Sequence, residues 1–170
     1  MPNWCEGNIR LRGTKKNIID FITNEIVCTK YDEETDDYIE EKPLIEKDVI
    51  ANNVCSINLA VPSDCSGGFY FRNTYRNFIF SSETEICFPD SEDDEEIVVC
   101  IDDFNAAWSL KDAGWIEHAM KYNIDIRIFG FEHGMEFSQI LTISREGEAD
   151  CKTTEYSDWF WDCPFPNLGG

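Results

Sequence analysis

The sequence predicts a single domain of the α+β class, and three observations support this prediction. Segments with strand-like alternation or short apolar runs are interspersed with two segments of helical periodicity. The chain has 170 residues, which is within the usual size of one domain and long enough for a substantial core. Apolar residues make up 42% of the chain and aromatic residues 14%, which excludes disorder throughout. We therefore expect one domain over residues 1–170.

The most apolar stretch, Ile97–Ile101, predicts the central strand. It lies within residues 95–108, which read EEIVVCIDDFNAAW. A β-branched run of this length between polar residues is typical of a strand that is buried on both faces, and we place this strand at residues 97–104. Trp115, Ile116 and Ala119 then recur at helical spacing, which predicts a helix at about residues 109–122.

Residues 3–12 alternate in polarity, which predicts a first strand with Ile9 and Leu11 facing the core. Thr14 is a suitable helix N-cap, and the apolar residues that follow recur with the helical period, so a helix is expected at about residues 15–27. A further strand is expected at Val54–Val61, and residues 75–80 predict an edge strand or a hairpin.

The second half of the chain ends in a predicted hairpin. Its strands are Ile124–Phe131 and Phe137–Ser144, and His133-Gly134 forms the turn. The whole order is β-α-β-(insertion)-β-α-β-β. This order predicts a ferredoxin-like split βαβ fold, in which an antiparallel sheet has two helices on one face. In the aromatic C-terminal tail we expect a strand with Trp159 and Trp161 on one face and Phe160 on the other, packed in the core.

The net charge is −20, and it is distributed unevenly along the chain. Residues 1–30 sum to +2, whereas residues 31–170 sum to −22. The acidic residues concentrate in two predicted insertions, at about residues 31–50 and 83–96, and we expect the first to be a solvated, mobile segment without regular periodicity. Such a charge repels nucleic acids and anionic membranes and attracts basic surfaces, although halophilic adaptation or plain solubility produces the same composition.

A sharper hypothesis is that the acidic insertions imitate a polyanion. Carboxylates at alternate strand positions recur every ~6.8 Å on one face, and duplex DNA has one charge per about 1.7 Å of axis. The predicted partner is a basic nucleic-acid-binding protein or nuclease complex, with no direct binding of nucleic acid and no membrane contact. The predicted partner-binding residues are Asp32, Glu33, Glu34, Asp36, Asp37, Glu40, Glu41, Asp90, Glu92, Asp93, Asp94, Glu95 and Glu96.

The eight cysteines are expected to be reduced and buried. None forms a Cys-x-x-Cys pair, and residues 1–13 lack the apolar core of a signal peptide, so a cytoplasmic location is expected. No zinc-ligand spacing is present. Asp90, Glu92 and Asp94 have the spacing that begins a calcium-binding EF-hand loop, but Glu95 replaces the required glycine and Ile101 the required glutamate, so that motif is absent.

No catalytic motif is recognisable. His118 and His133 are the two histidines, and Gly67-Gly68 lacks the lysine of a phosphate-binding loop. The aromatic and arginine residues of segment 69–80 lack the RNA-recognition signature and are expected mainly in the core. We predict no enzymatic activity, no metal and no cofactor. Two alternatives remain, an enzyme or small-ligand-binding protein with a pocket near His133 and residues 69–80, and a self-assembling accessory protein.

Three features resemble a known family. The chain begins Met1-Pro2-Asn3-Trp4-Cys5, it has Ala107-Trp108-Ser109 after the central strand, and its predicted closing hairpin has a glycine in the turn. In these features it resembles the ferredoxin-like domain proteins of bacteriophages and plasmids, whose members begin MPNWC and have no established activity. The resemblance covers residues 1–13 and 95–148, and it implies a ferredoxin-like protein of a mobile element. Together with the net charge of −22 after residue 30, it predicts a protein that binds and inhibits a host nucleic-acid-handling defence complex, such as a restriction or CRISPR-type nuclease.

Overall fold

The computed structural model describes residues 3–51 and 53–170. Strands and helices follow one another along this part of the chain. In order they are β1 (Trp4–Thr14), α1 (Lys15–Glu25), β2 (Ile26–Asp32), β3 (Asp37–Glu41), β4 (Leu44–Ile50), β5 (Asn53–Ala60), β6 (Ser66–Phe71), β7 (Asn77–Ile79), β8 (Glu83–Cys87), β9 (Glu96–Ala107), α2 (Trp115–Tyr122), β10 (Asp125–Glu132), β11 (Phe137–Ile143), β12 (Ala149–Glu155) and α3 (Trp159–Asp162).

The strands form two sheets, which confirms a mixed α+β fold built mostly on antiparallel sheet. One sheet has nine strands in the order β12-β11-β10-β1-β9-β7-β6-β2-β3, and the other has three in the order β4-β5-β8. In the predicted ferredoxin-like order, the strand predicted at Val54–Val61 would lie beside the central strand, whereas this segment forms β5 in the three-stranded sheet and β7 is the neighbour of β9. Residues 77–79 form β7, the second strand of a hairpin with β6 in the interior of the sheet. Of the two alternatives predicted for residues 75–80, the hairpin is therefore confirmed and the edge strand is wrong.

The long central strands β1 and β9 form the middle of the nine-stranded sheet. Leu11 pairs with Val99 and Ile9 with Ile101, and all four side chains are buried on the same face. The prediction that β9 is buried on both faces is wrong, because Val98 is 56% exposed on the opposite face. α1 and α2 pack against the buried face of these strands, so an apolar run marks the strand without specifying how many of its faces are covered.

Helix α1 begins where predicted, since the Thr14 hydroxyl accepts a hydrogen bond from the Asn17 N–H at 3.3 Å. It ends at Glu25, because Ile26 and Val27 belong to β2. Helix α2 begins at Trp115 and not at residue 109. Gly114 precedes it with φ +82°, and a Cβ atom there would lie 2.2 Å from the Asn73 carbonyl oxygen, so this position requires glycine.

An aromatic cluster joins the two longer helices to the sheet. The ring of Phe71 on β6 lies 4.9 Å from Trp115 on α2 and 6.4 Å from Phe21 on α1, measured between ring centroids. Phe104 on β9 completes the cluster at 6.2 Å from Phe71. All four side chains are almost fully buried, so this cluster is the centre of the main core.

The acidic stretch 31–48 is ordered strand and not an irregular segment, which corrects the sequence prediction. β3 pairs with β2 through Tyr31 and Tyr38, and β4 pairs with β5. Every residue of β4 is exposed, and β3 is nearly so. A strand that is exposed on both faces has no polar–apolar alternation to detect, and its pairing partner alone determines its conformation.

The tail also differs from the prediction. Residues 159–162 form a short helix, in which Trp159 is buried while Phe160 and Trp161 are 70% and 84% exposed. The hairpin of β10 and β11 is confirmed, and β12 extends it. All eight cysteines are free thiols, but only Cys5, Cys28 and Cys163 are buried. No helix in the described part of the chain has the length and hydropathy that a membrane span requires.

The buried cluster predicts a large difference between two phenylalanine-to-alanine substitutions. Phe71→Ala removes a side chain that is 1% exposed, and we expect it to lower the free energy of unfolding by about 3–5 kcal/mol. Phe160→Ala removes an exposed ring, and its effect should stay within about 0.5 kcal/mol. Urea denaturation of both variants measures this difference, and equal destabilisation would contradict the core assignment.

Candidate partner-binding surface

The first group of predicted partner-binding carboxylates lies on the β2–β3 hairpin. Asp32 and Asp37 are paired across the hairpin at its tip. The Asp32 carboxylate accepts hydrogen bonds from the Thr35 hydroxyl at 2.8 Å and from the Glu34 N–H at 3.2 Å, and these bonds lower its pKa. The turn is thereby ordered by one of its own acidic residues. Its other carboxylates, Glu33, Glu34, Asp36 and Asp37, are exposed to solvent.

Two basic residues tie this hairpin to the C-terminus of α1. Arg72 forms an ion pair with Glu40 at 2.8 Å and donates to the Asn24 carbonyl at 3.1 Å. Lys42 donates to the carbonyls of Thr23 and Asn24. The last turn of α1 contains no basic residue of its own, so these two cations balance the negative end of its dipole. The acidic hairpin is therefore fixed relative to the helix.

The second group of carboxylates lies on the loop between β8 and β9 and at the start of β9. This loop covers the N-terminus of α1, where the Lys15 N–H donates to the Glu95 carbonyl at 3.1 Å and the Lys16 N–H to the Asp93 carbonyl at 3.0 Å. The first turn of α1 contains no acidic residue, so the loop supplies both the missing hydrogen-bond acceptors and the negative charge that this helix end favours.

A buried lysine holds this acidic loop in place. Lys15 is 0% exposed, and its Nζ donates to the side-chain oxygen of Asn53 and to the carbonyls of Pro89 at 3.4 Å and Ser91 at 3.3 Å. Asn53 in turn donates to the Asp90 carboxylate at 2.7 Å. Because all of these partners are acceptors, the ammonium group is fully used in positioning the loop against α1 and β5.

The exposed fractions of the thirteen predicted residues agree with a surface role. Asp32 and Glu41 are half-buried, and the other eleven are exposed. Glu96 forms an ion pair with Arg145 at 2.9 Å, and Glu40 is paired with Arg72, so these two are partly neutralised. Among residues 3–51 and 53–170, no hydrogen bond or ion pair links the two groups. The first group lies near the C-terminus of α1 and the second at its N-terminus, so they are two separate acidic surfaces.

The two histidines are engaged within the fold. The Nε2 atom of His118 hydrogen-bonds the Arg72 carbonyl at 2.7 Å, and its Nδ1 lies 3.9 Å from the buried Glu25 carboxylate. Burial lowers the pKa of His118, so the imidazole is held neutral. Burial raises the pKa of Glu25, but hydrogen bonds from Lys121 and Tyr122 outweigh it, so the net shift is downward. This network connects α1, α2 and the β6–β7 turn.

His133, which the alternative interpretation places at a ligand pocket, contacts the C-terminal tail in the described structure. The His133 ring stacks on Trp159 with centroids 5.4 Å apart, and no aromatic contact or hydrogen bond joins it to residues 69–80. The adjacent Glu132 carboxylate is buried and accepts from the N–H groups of Gly134 and Met135. Within residues 3–51 and 53–170, no group of three metal-ligating side chains is close enough to hold a metal ion.

Sequence reasoning did not identify the buried residues that organise these surfaces. The sequence analysis assigns no individual role to Lys15 or Glu25. A charged residue at an apolar helical position is a usable signal, because Lys15 precedes Ile18, Ile19 and Ile22 on the buried face of α1. Comparisons with known proteins add no assignment, since no family model, curated protein or solved structure matches the chain.

The buried lysine gives a prediction for the order of the acidic loop. Lys15→Met leaves Asn53 and two carbonyls without their donor, and we expect the free energy of unfolding to fall by about 1–3 kcal/mol. Amide hydrogen exchange in residues 89–95 should accelerate. The neighbouring Lys16 is exposed, so Lys16→Met is the matched control and should leave both quantities unchanged. Unchanged exchange in the Lys15 variant would refute this anchoring role.

The neutral His118 predicts a pH dependence of stability. Its pKa is lowered in the folded protein, whereas in the unfolded chain it is near the usual 6.5. Below that value the unfolded state binds a proton that the folded state does not bind, so stability falls as the pH is lowered from about 7 to about 5.5. His118→Gln should make the free energy of unfolding flatter over this range in denaturant titrations. The same slope in both proteins would refute the assignment.

Proposed function

We propose that this protein is an acidic inhibitor that binds the basic surface of a host nucleic-acid-handling defence complex, such as a restriction or CRISPR-type nuclease. It would act in the host cytoplasm by imitating nucleic acid, without catalysis, cofactor or direct binding of nucleic acid. One observation carries the proposal most directly. The exposed carboxylates lie on an ordered hairpin and an anchored loop, in a chain whose net charge is −20.

The pairing at the hairpin tip supports a binding role for these charges. Asp32 and Asp37 are direct partners across the β2–β3 pair, and like charges in this position destabilise a sheet. The hydrogen bonds that Asp32 accepts within the turn offset part of this repulsion, whereas the carboxylate of Asp37 remains exposed beside it. A basic partner neutralises these carboxylates on contact. The repulsion that destabilises the isolated protein is then relieved, and this relief favours formation of the complex.

Rigidity adds to the argument for mimicry. A partner that evolved to bind a phosphate backbone has cations at defined positions, and carboxylates on a mobile segment would lose conformational entropy when they bind it. Arg72 and Lys42 fix the hairpin, and Lys15 fixes the loop, so most of this ordering is complete before binding. We expect fast association and a strong dependence on salt concentration.

We further propose that the core is ferredoxin-like and derives from a mobile genetic element. β10, β1 and β9 are neighbours, β2 follows α1, and α1 contacts α2 through Phe21 and Trp115. In this interpretation the β6–β7 hairpin is an insertion between β9 and β2. The resemblance of residues 1–13 to the phage and plasmid proteins agrees with this origin, which is where inhibitors of host nucleases are expected.

The experiment is a pull-down from host lysate at low and high salt, followed by a nuclease assay with the purified partner. The test variant replaces Glu33, Glu34, Asp36 and Asp37 by their amides. We expect the wild-type protein to retain a basic nuclease or nucleic-acid-binding complex at low salt and to release it at high salt. The test variant should bind at least tenfold more weakly, because about 1.4 kcal/mol of electrostatic attraction corresponds to that factor.

A matched control replaces four exposed carboxylates that form no side-chain hydrogen bond or ion pair in the described structure. These are Glu117, Glu136, Glu146 and Glu148. Because this control changes the net charge by the same amount, it separates a specific surface from general acidity. Equal loss of binding in both variants, or a partner that survives high salt unchanged, would contradict nucleic-acid mimicry.

A further inference from the structure

The face of the nine-stranded sheet opposite α1 and α2 contains a group of arginines. Arg10 and Arg12 on β1 alternate with the buried Ile9 and Leu11, so they lie on the open face. Arg127 on β10 is the direct cross-strand partner of Arg10. Opposite residues in such a pair have Cβ atoms roughly 4.5–5.5 Å apart, and two like charges at that spacing destabilise the pair.

Neither member of this pair is neutralised by a carboxylate. In the described part of the chain, Arg10 and Arg127 take part in no ion pair, although the chain has 34 acidic residues. The Arg10 guanidinium lies over the Phe129 ring at 4.7 Å, and Arg127 Nε donates to the Thr142 hydroxyl at 3.3 Å. Most of their N–H donors therefore remain available for an anion.

The three arginines line a cleft of about 230 Å³ on the open face. Asp125 is the one carboxylate in its lining, and it is held by Arg145 and Arg12, each at 2.8 Å. These ion pairs keep the pKa of Asp125 well below its usual range. Arg145 is also paired with Glu96, so four guanidinium groups face two carboxylates, and the local charge is positive.

The neighbouring thiol adds no negative charge to the cleft. Cys100 is the partner of Arg10 on the β9 side, and its Sγ donates to the Asp102 carboxylate at 3.4 Å. Partial burial, together with Asp102, raises the pKa of this thiol to about 11, so it is protonated at neutral pH. Asp102 lies on β9, and β1 separates this strand from β10, which contains Arg127.

We propose that this cleft binds the phosphate group of a small phosphorylated ligand. The forked donors of Arg10 and Arg127 suit the paired oxygens of a phosphate, and a bound phosphate removes the repulsion between the two arginines. Pockets that enclose a whole ligand measure roughly 300–1,000 Å³, so this smaller cleft fits the phosphate while the rest of the ligand lies on the open sheet face.

The charge of the whole protein selects a small ligand over a polymer. At physiological salt the field of distant charges is screened beyond about 8 Å, so a single phosphate responds mainly to the local arginines. A longer polyanion extends over surfaces where the acidic hairpin and loop repel it. The residues that line the cleft belong to neither acidic surface, and Glu96, through its ion pair with Arg145, is the point of contact between the two regions.

Calorimetric titration and ³¹P NMR at constant ionic strength provide the test. Ligands are inorganic phosphate, a nucleoside monophosphate and a single-stranded oligonucleotide, with chloride as the reference anion. We expect saturable binding of the monophosphate that chloride at matched ionic strength does not displace. Arg10→Gln and Arg127→Gln should each weaken it at least about tenfold, since each removes hydrogen bonds to a charged group.

Lys47→Gln is the control, because it removes one exposed cation from β4 in the three-stranded sheet, and the affinity of this variant for the monophosphate should equal that of the wild type. Thermal unfolding verifies that the variants are folded. If a variant is unfolded, the comparison of the monophosphate with chloride still tests the proposal on the wild-type protein. Equal affinities in all four proteins, or no saturable binding, would overturn the proposal. Tighter binding of the oligonucleotide than of the monophosphate would overturn the assignment to a small ligand.

Discussion

The buried ammonium group of Lys15 is the interaction on which the arrangement of the molecule depends. It lies at the first turn of α1 and donates to β5 through Asn53 and to the acidic loop through Pro89 and Ser91. One side chain thus joins the helix, the three-stranded sheet and the loop. Burying an ammonium group away from water costs free energy unless hydrogen-bond acceptors surround it. The three elements that supply these acceptors must therefore pack together around Lys15.

Self-repulsion among the carboxylates is the constraint that this arrangement has to meet. The fold places acidic segments where backbone dipoles or scarce cations offset them. The loop from Asp90 to Glu95 covers the positive end of α1, while Arg72 and Lys42 balance the negative end and fix the acidic hairpin. What remains exposed is a set of carboxylates at defined positions, which is the property that a nucleic-acid mimic requires.

The two faces of the large sheet have different roles in this interpretation. One face is closed by α1, α2 and the Phe21–Phe71–Trp115 cluster and supplies stability. The other is partly open and concentrates the arginines of a chain that has 14 basic residues in total. A charge distribution of this kind provides two surfaces of opposite sign, and therefore two classes of partner that do not compete for the same residues.

Local sequence determined the elements whose pattern reflects burial on one side. The alternation of β1, the Thr14 cap, the period of α1 and the β10–β11 hairpin could all be predicted, because apolar spacing records which face meets the core. Tertiary structure alone decided the rest. β3 and β4 have no buried face, so their apolar spacing contains no signal of burial. The positions of β6 and β7 in the sheet depend on long-range pairing. Lys15 and the Arg10–Arg127 pair acquire their roles from partners that are distant in sequence. Composition predicted the acidity, whereas only the fold could specify where the charges lie.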